Sequence, residues 1–102
     1  FGRFRKEDRI KKFVFRFLSD KSFETLCTSI ESGNTEEAFR AAHTLKGVSQ
    51  NLSFDRLFES SHEITEALRS ENMGAVAELL PRVRDDYEVT VSAIQELQAE
   101  EV

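Results

Sequence analysis

Three residues near the middle of the chain could do chemistry together. They are His43, Lys46 and Gly47, within the run Ala41-Ala42-His43-Thr44-Leu45-Lys46-Gly47. An imidazole has an ordinary pKa of about 6.5, so near pH 7 it is mostly neutral and nucleophilic. It can attack a phosphoryl donor without a separate general base. The phosphorylated ring carries about two negative charges, and a lysine one helical turn away can pair with them. A glycine in a helix interior costs about 1 kcal/mol relative to alanine. At position 47 it also removes the side chain that would crowd the phosphoryl group and an incoming partner. Each residue has a plainer reading: a polar surface histidine, a common helix former, a glycine serving close packing. The three together fit a phosphoryl carrier better, because Gly47 weakens the helix on the side that faces away from the core.

That geometry follows from unrolling the helix at about 100° per residue. Ala38, Ala41, Ala42, Leu45, Ser49 and Leu52 gather on one side as a narrow core stripe. His43 points the other way. Phe39 and Arg40 lie one turn before it, and Lys46, Gly47 and Gln50 follow it. Arg40 and Gln50 are second-rank candidates on this face. Phe39 is either half-buried against a neighbouring helix or part of an apolar docking patch.

The rest of the chain must hold this helix still. Ile10, Phe13, Val14, Phe17 and Leu18 give one apolar face and predict a first helix from Lys6 to Leu18. Phe1 and Phe4 fall outside the stripe and are expected to fold back over the bundle end. Ser19 or Asp20 can cap a second helix carrying Phe23, Leu26, Cys27 and Ile30, which Gly33 ends. Cys27 lies within that stripe and reads as a buried apolar residue. Asn34 and Glu37 predict a capping box for the helix of His43, which runs to about Asn51. Ser53 is expected to cap a fourth helix, with Leu57, Ile64, Ala67 and Leu68 inward. Pro81 predicts a break or kink and stands at the first position of a final helix carrying Tyr87, Val91, Ile94 and Leu97. No strand pattern, internal repeat or linker competes. The expectation is one all-α domain over residues 1–102: an up-and-down four-helix bundle with an extra N-terminal helix and a kinked C-terminal helix.

Composition excludes several classes. With 39% hydrophobic and 32% charged residues, the 102-residue chain reads as globular. No apolar run approaches the roughly 20 residues of a membrane span, and no signal peptide is visible. The single Cys27 allows no internal disulfide and fits a reducing cytoplasm. The net charge of −5 argues against non-specific nucleic-acid binding. It is uneven: residues 1–16 sum to +5 and the remainder to −10. The basic end reads as a solvated face or as a docking patch for an acidic partner. No metal site is expected, since His43 and His62 alone are a thin ligand set. There is no glycine-rich nucleotide loop, and no cofactor is expected.

The run "AAHTLKGVSQNLSF" resembles the signature of histidine-containing phosphotransfer (HPt) domains, A-H-x-L-K-G followed by small residues and a later glycine. The approach "SGNTEEAFRAAHTLKG" and the segment "ELLPRVRDDYE" are similar to the family too, so the resemblance covers nearly the whole chain. It implies a four-helix bundle in which His43 accepts a phosphoryl group at Nε2, Lys46 stabilises it and Gly47 leaves room for it. It implies a carrier and not an enzyme, monomeric and cytoplasmic. The partners would be response-regulator receiver domains, which bring Mg²⁺ and the catalytic groups, or a sensor histidine kinase. The same motif and bundle occur as the phosphoacceptor domain of larger chemotaxis-type or hybrid sensor kinases, which is the alternative. Three positions depart from the pattern. Val48 replaces the usual Ser or Ala, and Ser53 the usual Gly. Thr65 stands where some members place a Gln or Glu that bonds the imidazole.

Overall fold

The computed structural model of the protein describes residues 12–100. Residues 12–16 are helical and run into a 3-10 turn, Phe17–Ser19. Four helices follow: α1 Ser22–Ser32, α2 Thr35–Asn51, α3 Asp55–Arg69 and α4 Met73–Glu100. Among the described residues there is no strand. Residues 6–11 of the helix expected over 6–18, and the expected fold-back of Phe1 and Phe4, lie outside the described residues.

Each helix packs on its neighbour in sequence: α1 on α2, α2 on α3, α3 on α4. The connections are two to three residues long, so neighbours run antiparallel. The bundle is tied across between α1 and α4. Phe23 stacks on Tyr87 with ring centroids 4.5 Å apart, and the Arg84 guanidinium donates to Cys27 Sγ at 3.9 Å. Phe17 sits edge-on to Phe54 at 5.3 Å and tilted to Tyr87 at 5.6 Å. These four rings form an aromatic plug at one end of the bundle.

The turns share one geometry. Gly33, Ser53 and Glu71 all have φ near +60° to +80° (78°, 61° and 57°). In each turn the next residue's N–H reaches a carbonyl five residues back: Asn34 to Ser29, Phe54 to Ser49, Asn72 to Ala67, at 2.8 to 2.9 Å. This is the Schellman arrangement, which satisfies the last free carbonyls of a helix. Gly33 occupies its position as expected. Ser53 does not cap α3 as expected. It takes the left-handed position that closes α2, and Phe54 precedes α3 without a side-chain cap. The expected cap at Asn34 is present: its Oδ1 accepts from Glu37 N–H at 3.1 Å, and its Nδ2 donates to Glu37 Oε2 at 3.0 Å.

Pro81 lies inside α4, which continues through it as one element. No new helix starts at Pro81, so that expectation is corrected. The start is instead at Met73, where Asn72 Oδ1 accepts from Ala75 N–H at 3.2 Å. Packing of Val76 before Pro81 and Val83 after it, both fully buried, holds the two halves to the same core. Two smaller expectations also change. Phe13 is 55% exposed although it lies on the expected apolar face, and Cys27 is half-buried at the core edge.

The core is Phe17, Leu26, Leu45, Leu57, Ile64, Leu68, Val76, Val83 and Ile94, with Ala38, Ala41 and Ala42 on the back of α2. Ser49, Ser60, Ser61 and Thr65 are also buried. Short side chains let two helices approach closely. Three of the hydroxyls bond back to their own helix, Ser49 to Leu45 O at 2.7 Å, Ser60 to Arg56 O at 3.2 Å and Thr65 to Ser61 O at 2.6 Å, while the buried Ser61 Oγ has no partner among the described residues. The α2–α3 pair is thus a tight platform, and the outer face of α2 is held over it.

Candidate functional site

His43 projects from the middle of α2 and is exposed. The buried residues of its helix, Ala38, Ala41, Ala42, Leu45 and Ser49, all lie on the other side. Their fixed packing determines where the imidazole points. One turn earlier Phe39 is half-buried, its ring 6.1 Å from the imidazole centroid and tilted 35°. Phe39 packs against the core, as one of its two expectations had it, and its ring also lies beside the imidazole.

Lys46 is half-exposed one turn after His43, and among the described residues it makes no ion pair. Its ammonium is available to an anion at His43. Arg40 is more committed. Its guanidinium bonds Glu36 Oε1 at 2.7 Å in an i,i+4 pair with both side chains about three-quarters exposed. Such a pair contributes only about 0.3–0.5 kcal/mol and exchanges readily. Gln50 is exposed two turns beyond His43.

Gly47 is the informative position. A Cβ built there would meet nothing within 4 Å. Its φ lies outside the left-handed range, so no backbone requirement explains it either. Neither packing nor conformation asks for glycine, and the helix loses stability by having it. What the glycine leaves is open space one turn from His43 along the helix.

The structure adds residues that the sequence pattern did not bring to the site. Arg69, the last residue of α3, places its Cζ 5.4 Å from the centre of the Phe39 ring. With Phe39, Arg40, His43 and Thr44 it lines an open depression beside the imidazole. By sequence Arg69 reads only as a cation suiting a helix C-terminus. The signal that finds it is the antiparallel register of α2 and α3, which sets the end of α3 beside the start of α2. Thr65, on the same helix, is fully buried and its hydroxyl is taken by Ser61 O. Among the described residues it makes no hydrogen bond to His43.

His62 provides a contrast within the same chain. It too is exposed, and it too has a phenylalanine four residues earlier, Phe58, with centroids 6.1 Å apart. Its sequence neighbours differ. Glu59, Glu63 and Glu66 stand near it in sequence, Glu63 and Glu66 paired with Arg82 and Arg69, and position +3 is the buried Thr65 in place of a lysine. Among the described residues, no group of three His, Cys, Asp or Glu side chains is placed to hold a metal, and no helix is long and apolar enough to cross a membrane.

Comparison with curated proteins and with solved structures returns no match. A family model, described as the Hpt domain, matches residues 14–99. Hpt domains are phosphotransfer modules of two-component signalling that work with receiver domains and histidine kinases, and they carry phosphoryl groups and do not catalyse. With α1, α2, α3 and all but the last residue of α4 inside the match, the chain belongs to the Hpt domain family.

Proposed function

We propose that His43 is the phosphoacceptor of a phosphorelay, receiving a phosphoryl group from a receiver-domain aspartate and returning it to another. The Nε2 lone pair attacks phosphorus and an N–P bond forms. The P–O bond to the aspartyl carboxylate breaks, and the carboxylate leaves with the electron pair. The proton on Nδ1 stays, so the ring becomes an imidazolium bearing the phosphoryl group. Lys46 pairs with the phosphoryl oxygens, and Gly47 leaves the volume they occupy. Mg²⁺ and the groups that activate the acyl phosphate belong to the partner. Phe39, Arg40 and Gln50 form the surface on which the receiver sits. The observation that carries this reading is the open space at Gly47 beside an exposed imidazole.

The chain acts as one monomeric domain over residues 1–102, in the cytoplasm where receivers and kinases meet it. Pro81 bends α4, because its ring crowds the carbonyl one turn back and its nitrogen donates no hydrogen bond. A receiver domain labelled on its aspartate, mixed with this protein, tests the site. The wild-type chain takes up label and His43→Gln takes up none. Label retained on His43→Gln sinks the assignment.

A further inference from the structure

Arg69 has two partners, both at the surface. Its Nε lies 3.2 Å from Glu66 Oε2, with the two side chains 59% and 49% exposed, and its Cζ lies over the Phe39 ring at 5.4 Å. The same ring stands 6.1 Å from the imidazole of His43. Phe39 therefore neighbours both His43 and a cation delivered by another helix, and the three line one depression. An exposed carboxylate pair and an exposed cation–π contact are weak and easily exchanged. A planar guanidinium facing a phosphoryl dianion forms paired, charge-assisted hydrogen bonds, which are stronger. Adding two negative charges at His43 changes which partner Arg69 prefers.

We infer that Arg69 is a phosphorylation-responsive latch: it covers Phe39 while His43 is unmodified and moves onto the phosphoryl group when His43 is loaded. The inference rests on His43 being the phosphoacceptor. Arg69 would be the second cation at the phosphoryl group, on the opposite flank from Lys46 and free of the helix that carries the histidine. Its departure bares the ring of Phe39. The loaded and unloaded forms then present different surfaces to a receiver: a neutralised anion beside an open apolar ring, or a free imidazole beside a covered one. Glu66 sets the resting position, since it holds the guanidinium at the Phe39 end of the depression.

The test uses the whole chain, loaded with the small-molecule donor phosphoramidate, with mass spectrometry reading occupancy at His43. Side-chain nitrogen NMR follows Arg69 Nε, proton NMR follows the Phe39 ring, and phosphorus NMR follows the titration of the phosphoryl group. On loading, the Arg69 and Phe39 resonances both shift. A nearby cation favours the dianion, so Arg69→Gln raises the phosphoryl pKa by roughly half a unit, and Arg69→Lys recovers part of the difference. A purely structural Arg69 moves none of these. A loaded His43 with Arg69 Nε and Phe39 unmoved, and with Arg69→Gln titrating as wild type, overturns the latch alone. No loading at His43 overturns the latch together with the site on which it rests.

Discussion

At the scale of single residues, the proposed site comes down to an exposed imidazole, a lysine that makes no ion pair among the described residues, and one missing side chain. Gly47 gives the sharpest separation of stability from function. Gly47→Ala should stabilise the domain by about 0.5–1 kcal/mol, because the helix gains a better residue and the new methyl meets nothing. Thermal unfolding checks this as a rise in Tm of a few degrees. Gly47→Leu should fold equally well yet slow phosphoryl transfer by about tenfold or more, since it fills the approach to the imidazole. Wild-type transfer in Gly47→Leu contradicts the clearance role. His43, Lys46 and Gly47 were legible in the sequence because a helix places i, i+3 and i+4 on one face whatever else the fold does. Arg69 was not, because its place at the site depends on how α3 returns beside α2, and no local spacing encodes that.

At the scale of elements, the helices follow from apolar spacing, while their ends depend on turn chemistry. Three consecutive Schellman turns close α1, α2 and α3, and only the first uses glycine. A non-glycine residue in the left-handed region costs about 1 kcal/mol. Ser53→Gly should therefore stabilise the protein by about 0.5 kcal/mol or more, the gain being partly offset by the freer unfolded chain. Urea unfolding of the variant reads this as a higher midpoint with an unchanged slope. A lower midpoint would show that the Ser53 side chain contributes something its φ does not reveal. Ser53 suits a cap by residue type, since serine favours that role. The Phe54-to-Ser49 hydrogen bond shows that closing α2 wins over capping α3. Pro81 shows the same contest between local preference and packing. Its local preference is to start a helix, but Val76 and Val83 are buried in one core on either side of it, and tertiary packing keeps α4 a single element.

At the scale of the whole molecule, a small-residue platform of α2 and α3 holds the histidine face, and an aromatic plug locks the bundle end. The bundle class was legible from helical stripes and short loops. The plug was not, since it joins Phe23 of α1 and Tyr87 of α4 with Phe17 of the N-terminal turn and Phe54 of the turn between α2 and α3. Burial raises the Tyr87 phenol above its ordinary pKa of 10.0, and the carboxylates of Asp20 and Glu24 add to the shift. A folded-state pKa above the unfolded one means the folded protein holds the proton more tightly. The resulting stability is complete below about pH 10 and is lost as pH rises through the raised value. Denaturant midpoints from about pH 9 to about pH 11 should fall for the wild type and fall less for Tyr87→Phe. An equal fall in both assigns the loss to other groups.

The plug and platform leave two histidines on the surface, each four residues after a phenylalanine and each 6.1 Å from its ring. Only His43 has a lysine three residues on and a glycine four residues on, where His62 has the buried Thr65 and Glu66. The most direct measurement is therefore mass-spectrometric localisation of the phosphoryl group after incubation with a phosphorylated receiver domain. The group should be found on His43 alone, acid-labile as a phosphoramidate is, with His62 unmodified. A phosphoryl group on His62, or on any residue of the His43→Gln chain, would contradict the account.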